Sequence, residues 1–195
     1  MYPPPHHQDD HKAHLLEVIN SYPLATVISV KADQPLITHL PLIYNSGKLI
    51  GHIDKFNPQA ELMKDAHTVT VIFSGPQCYI SPSIYSTSQL PTWNYVKVHL
   101  KGTVHAINDP EIVKQSIVDM TAHLETPELR YQLAMDNPRM HGLIGYISGF
   151  EIEITHWEGK FKLSQDKNPK DFRLARAELI RANQQCIEAF LERIL

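Results

Sequence analysis

Cysteine is all but missing from this sequence: Cys78 and Cys186 stand far apart, and no C-x-x-C pair occurs. That argues against a disulfide framework and a thiolate zinc site, and it fits a reducing compartment. No apolar run approaches the ~20 residues that span a bilayer, and the N-terminus lacks the apolar core of a signal peptide. The expectation is a soluble, cytoplasmic protein with no membrane partner. A strong excess of either charge is lacking too; a net charge of −3 exerts no overall pull toward nucleic acid. P-loop, G-x-G-x-x-G, H-E-x-x-H and G-x-S-x-G patterns are absent. Nucleotide hydrolysis, dinucleotide binding, zincin and serine-hydrolase chemistry therefore have no motif behind them. Repeats and low-complexity linkers are missing as well.

What is present is an ordinary globular balance, 43% hydrophobic and 20% charged over 195 residues. That suffices for one domain, or one domain with a helical appendage. Residues 15–22 read as a short amphipathic helix. Residues 25–30, 36–44, 48–54, 68–74 and 78–80 then form apolar, largely β-branched runs separated by turn signals. A brief helix is expected at 59–66. Residues 95–107 alternate Val96, Val98 and Leu100 with Lys97, His99 and Lys101, the pattern of a half-buried strand. About six strands at this spacing predict an antiparallel barrel or sandwich, which periodicity does not separate. Helical start signals follow at Asp109-Pro110, Thr126-Pro127 and Asn168-Pro169, with a further short helix at 140–146; strand pattern returns at 149–156 and, past a turn at Glu158-Gly159, at 160–164.

Several stretches could carry chemistry. Residues 75–102 are crowded with aromatics, hydroxyls and prolines, more than a plain connector needs. Thr38-His39-Leu40-Pro41 interrupts an apolar strand. His52–Gln59 ends a strand and begins a helix; there Lys55, the side chains of Asn57 and Gln59, and the helix N-terminal N–H groups suit an anion such as phosphate, against the blander reading of a cap with a solvated lysine. Lys160, Lys162 and Ser164 share one strand face, ordinarily a solvent face. His6, His7, His11 and His14 have spacings that can hold a metal, but a solvated helix start explains them better.

Taken together, ITHLPL (37–42), GHIDKFNPQ (51–59), YISPSIY (79–85), PTWNYVKVHLKG (91–102), GFEIEIT (149–155), GKFKLSQ (159–165) and the opening MYPPPHH resemble the PaiB family of FMN-binding negative transcriptional regulators. The resemblance implies a mainly β fold with helices, the FMN-binding split barrel. This is a six-stranded, Greek-key-like antiparallel barrel over residues 1–165, with a helical insertion at 109–146 and a C-terminal helix at 166–195. It implies a homodimer with FMN at the interface. Thr38, His39 and Leu40 would border the flavin; His52, Lys55, Asn57 and Gln59 belong to the phosphate segment; Trp93, Asn94, Tyr95, Lys160, Lys162 and Ser164 would approach the site or the partner subunit. Ile84 and Phe161 stand where the family pattern has tryptophan, and the chain departs from the family after Gln165.

The leading function is thus a transcriptional regulator or flavin sensor, with DNA contacted directly or through another protein. No basic recognition helix is evident, and the basic residues of the last helix sit among Glu178, Glu188 and Glu192. The alternatives are an FMN-dependent oxidoreductase and a haem-binding or haem-degrading split barrel using His39 or His99. A further reading is an interaction module with an empty site.

Overall fold

The computed structural model describes residues 4–64 and 66–184. In chain order the elements are a 3-10 turn at Pro5–His7, β1 (Gln8–Asp9), α1 (Lys12–Ser21), β2 (Leu24–Lys31), β3 (Gln34–Pro41), β4 (Ile43–Asn45), β5 (Lys48–Asp54) and a 3-10 turn at Pro58–Leu62. There follow β6 (Thr68–Ile80), a 3-10 turn at Pro82–Ile84, β7 (Thr92–Ile107), α2 (Pro110–Leu124), α3 (Pro138–Leu143), a 3-10 turn at Ile144–Tyr146, β8 (Ile147–Lys162) and α4 (Pro169–Asn183). Six strands are long; β1 is a short addition to the expected set, β4 is the end of the expected 36–44 run split off at Leu42, and the expected runs 68–74 and 78–80 are one strand, β6. The described residues divide into a larger unit, Asp10–Ser74 with Val98–Glu158, and a smaller one built from Gly75–Lys97 with residues 4–9 and 159–184.

In the larger unit the strands are ordered β3-β2-β6-β7-β8-β5-β4. β2 pairs with β3 from Leu24↔Pro41 to Lys31↔Gln34, and β5 with β8 from Lys48↔Glu153 to Asp54↔Ile147, both antiparallel. β3 ends the order, which accommodates Pro35 and Pro41 because an edge strand has an open side needing no donor. Period-2 alternation turns Val27, Leu49, Phe73, Leu100 and Ile152 inward, and all are inaccessible to solvent. β7 and β8 approach so closely that a Cβ on Gly102 would lie 2.4 Å from Ile152 Cγ2 and 2.6 Å from the Glu153 carbonyl oxygen.

In the smaller unit β1 pairs with β8 at Gln8↔Lys160 and Asp9↔Gly159. The buried phase of β6 slips by one residue at Pro76-Gln77: Val69, Val71 and Phe73 are inward before it, Cys78 and Ile80 after it. Cys78 and Ile80 pack with Ala175 of α4, and Ile84, Tyr85, Leu179 and Ala182 close around them. The described part of the C-terminal helix thus turns its apolar stripe onto the end of β6. Its expected continuation, with Ile187, Phe190, Leu191 and Ile194, lies outside the described residues.

Four sequence expectations are corrected. The connector within 75–102 is only residues 81–91, because β6 and β7 extend into both ends of the stretch. The helix expected at 59–66 is a 3-10 turn, Pro58–Leu62. The turn expected at Glu158-Gly159 is absent; β8 runs straight through it, with β1 paired alongside at Gly159. No helix forms at 126–133. Leu129 there takes φ +46° and is 66% exposed, so the segment offers no buried face to stabilise a helix.

Candidate functional site

The strand–turn junction after β5 brings together three of the expected residues of the larger unit. Asn57 caps the 3-10 turn: its Oδ1 accepts the Gln59 N–H at 2.9 Å, and its Nδ2 donates to Thr38 Oγ1 at 3.1 Å. Gln59 is buried (1% exposed), and its Nε2 donates to the Val27 carbonyl and to Ser29 Oγ at 3.1 and 2.9 Å, fastening the turn to β2. Gln59 Oε1 has no hydrogen-bond partner, an orphan acceptor at a cost of about 1–3 kcal/mol.

The expected anion site made of backbone N–H groups is not formed. Phe56 N–H is taken by Asp54 Oδ1 and Asn57 N–H by the Asp54 carbonyl. Pro58 has no N–H, Gln59 N–H bonds Asn57 Oδ1, and Ala60 N–H bonds the Asn57 carbonyl. Any anion here must be held by side chains.

Lys55 supplies one, but not beside Asn57. Its backbone N–H bonds the Tyr146 carbonyl and its Nζ donates to the Gly145 carbonyl at 2.7 Å. Both lysines Lys55 and Lys64 line a cavity of about 250 Å³, with Asn108 and Ser148 polar and Met63, Val113 and Ile144 apolar on its walls. An ammonium has three donors, so Lys55 keeps two beyond Gly145. Lys64, Asn108 and Ser148 carry no sequence signal, being remote from one another along the chain. Phe56 and Tyr146, adjacent in sequence to Lys55 and Gly145, expose an aromatic pair with ring centroids 6.1 Å apart. Two ammoniums, neutral donors, apolar walls and exposed rings form a donor set that fits a phosphorylated aromatic ligand. A wider groove along α2 carries Asp109, Glu111, Asp119 and Glu151 and has the wrong sign for phosphate.

The other expected residues of this unit point elsewhere. His39 lies exposed on β3, its Nδ1 3.0 Å from Thr26 Oγ1. Leu40 is half-buried opposite Ala25. His52 Nε2 lies 2.6 Å from Ser116 Oγ, whose own proton goes to the Val113 carbonyl at 2.8 Å. His52 Nε2 is therefore the donor, and burial pushes this imidazole down to about 4.

In the smaller unit Lys160, Lys162 and Ser164 do not share a strand face, since β8 ends at Lys162 and Ser164 has φ +63°. Each instead meets a different part of β7. Lys160 Nζ sits 5.5 Å from the Tyr95 ring centroid, Lys162 Nζ donates to Thr92 Oγ1 at 2.6 Å, and Ser164 Oγ donates to Asn94 Oδ1 at 3.1 Å. Trp93 is half exposed beside Tyr79, ring centroids 6.3 Å apart. Asn94 is 1% exposed with Nδ2 unpartnered. The signal for its burial was in the sequence, because it shares the phase of Val96, Val98 and Leu100. His7, by contrast, reads as solvated in sequence but is 7% exposed.

Comparison with known proteins places these features in a family context. A family model described as "Putative FMN-binding domain" matches residues 1–156. The Bacillus subtilis (strain 168) protein named protease synthase and sporulation protein PAI 2 is 29% identical over 185 residues, 88% of this chain and 86% of that one. An uncharacterized protein of Emericella nidulans is 27% identical over 204 residues, 80% of this chain and 81% of its own. Among solved structures, the FAD and heme binding protein from Mycobacterium smegmatis superposes with a TM-score of 0.64 at 16% identity, covering 92% of this chain and 81% of that one. The flavocytochrome Anf3 from Azotobacter vinelandii gives 0.65 at 13% identity, covering 86% and 75%. At such identities the two structures speak to the fold alone, which is the expected mainly β split barrel with helices. Among the described residues no helix is long and apolar enough to cross a membrane.

Proposed function

The chain belongs to the PaiB family of FMN-binding-domain proteins, and on that premise we propose that it is an FMN-binding homodimer acting as a flavin-responsive transcriptional regulator. The observation that carries the reading is the cavity faced by Lys55 and Lys64, inside the family-matched span. Lys55 and Lys64 hold the phosphate, and Phe56 and Tyr146 offer aromatic surface to the ring. FMN, when bound, supplies reversible electron uptake; the chain's own part is to bind and orient it.

Dimerisation is supported by the outer face of the β2–β3 hairpin, where Leu24, Val30 and Ile37 are each more than half exposed on an apolar sheet surface. Regulation rather than turnover is favoured by the name of the Bacillus relative, which refers to sporulation. Within α4, Arg181 is paired with Glu178 at 2.8 Å, which weakens the helix as a direct DNA reader; contact through the dimer or another protein suits it better.

An absorption spectrum of the purified protein loaded with FMN tests the core of the reading. Flavin bands that stay with the protein through gel filtration are expected. A Soret band, or flavin lost on the column, overturns it. Sustained turnover of a nicotinamide by the loaded protein would favour the oxidoreductase, and filter binding that never rises above non-specific background across a salt series would rule out direct DNA contact.

A further inference from the structure

The smaller unit contains a second cavity, of about 250 Å³, which the flavin reading does not use. His7, Lys162, Ser164, Lys167, Leu90 and Asp166 are on its wall. His7 is more than nine-tenths buried, yet its Nδ1 has no hydrogen-bond partner. A buried imidazole nitrogen left in this state is destabilising unless a ligand meets it. Ser164 of the wall leads to a second orphan: its Oγ donates to Asn94 Oδ1, while Asn94 Nδ2 is unsatisfied.

The charges around this space fix the kind of ligand. Lys162 spends one donor on Thr92 Oγ1 and Lys167 one on Asp166 Oδ2, at 2.6 and 3.0 Å; each ammonium retains two. Two ammoniums against the Asp166 carboxylate leave one positive charge. His7 adds none at neutral pH, because burial and then the neighbouring His6 and Lys162 charges push its protonation down. A neutral imidazole with Nδ1 protonated is a hydrogen-bond donor, not a second cation. One carboxylate balances the charges that line the cavity; Lys160, whose charge also reaches His7, lies outside the lining. Leu90 and the adjoining Pro91 supply apolar wall for a short hydrocarbon part. The volume lies below the roughly 300–1,000 Å³ of clefts that take drug-sized ligands.

We propose that this cavity is a binding site for a small monocarboxylic acid, its carboxylate held by Lys162, Lys167 and His7 Nδ1 and its hydrocarbon part lying against Leu90 and Pro91. The site shares no lining residue with the Lys55–Lys64 cavity; Lys162 and Ser164, which the family resemblance would bring toward the flavin or the partner subunit, line this cavity instead.

Calorimetric titration of the full-length protein with benzoate, butyrate and inorganic phosphate tests it, alongside the imidazole resonances of His7. Saturable binding of benzoate or butyrate at one site per chain is expected, with the His7 resonances moving along the same isotherm and phosphate weaker than either. His7→Phe and Lys167→Ala should each weaken binding by about tenfold or more, the loss of one charged or buried hydrogen bond, while FMN retention is unchanged. Absence of saturable binding, phosphate binding as tight as the carboxylates, or unchanged affinity in Lys167→Ala would overturn the proposal. Lys167 is half-buried and its side chain bonds only the neighbouring Asp166, so that variant keeps the test decisive even where His7→Phe misfolds.

Discussion

Asp171, at the start of α4, accepts hydrogen bonds from both the backbone N–H and the hydroxyl of Ser86, each at 2.7 Å, on a single carboxylate oxygen. Thr87 Oγ1 and Asn168 Nδ2 bond the other oxygen, and the residue is inaccessible to solvent. The aromatic, hydroxyl-rich connector between β6 and β7 is therefore strapped to the C-terminal helix by one side chain.

That strap has a pH signature. The Thr87 hydroxyl and then the Ser86 and Asn168 donors hold the Asp171 carboxyl far below the usual carboxylate range. A depressed carboxylate stabilises the fold above its unfolded value, near 4, and the contribution is lost as pH falls toward the folded value. Asp171→Ala should lower the urea midpoint clearly at pH 7 and by much less in strong acid. An equal loss at both pH values would show that the strap is packing rather than charge-assisted hydrogen bonding.

His52 works in the opposite part of the scale. With its imidazole depressed from 6.5 to about 4, the unfolded chain takes up a proton first, and stability falls as pH drops through that window, by an amount on the order of 3 kcal/mol. His7, also depressed, adds in the same direction. Unfolding free energies measured from pH 7 to pH 4 should show this slope, and His52→Gln should flatten it; parallel profiles for the two proteins would refute the assignment.

The phosphate assignment separates FMN from riboflavin. Lys55→Ala and Lys64→Ala should each cut FMN affinity by about tenfold or more, the loss of a charge-assisted contact, and leave riboflavin affinity as it was. Fluorescence titration with both flavins reads this directly. Equal losses for the two ligands would move the phosphate away from the Lys55–Lys64 cavity.

Two glycines give contrasting outcomes. Gly102→Ala places a Cβ 2.4 Å from Ile152 Cγ2 and 2.6 Å from the Glu153 carbonyl; the β7–β8 ladder must part, and a loss of about 1–3 kcal/mol or more is expected. Gly142, in α3, has nothing within 4 Å of an added Cβ, so Gly142→Ala should be neutral or stabilising by up to about 1 kcal/mol. Thermal melts of both variants decide it.

The strands and caps were legible in the sequence because they are set locally. Val96, Val98 and Leu100 declare the inward face of β7 through period 2 alone. Asn57-Pro58, Asp109-Pro110 and Asn168-Pro169 each begin a helical turn with the Asx side chain accepting a backbone N–H. Local signals also misled: Thr126-Pro127-Glu128 has the same form, but no apolar face follows that can be buried, and no helix results.

The sites were another matter. Thr38, Asn57 and Gln59 do meet, but the anion-binding N–H groups expected beside them are consumed by Asp54 and Asn57. Lys55 instead finds Lys64 across a cavity, and His7 finds Lys162 and Lys167. Sequence by itself determined the inward face of strands such as β7 and the Asx–Pro starts of the Pro58–Leu62 turn, α2 and α4, since alternation and capping need only near neighbours. Tertiary structure alone decided which charges share a cavity and which donors remain free, because those depend on partners far along the chain that only the strand order brings within hydrogen-bonding distance.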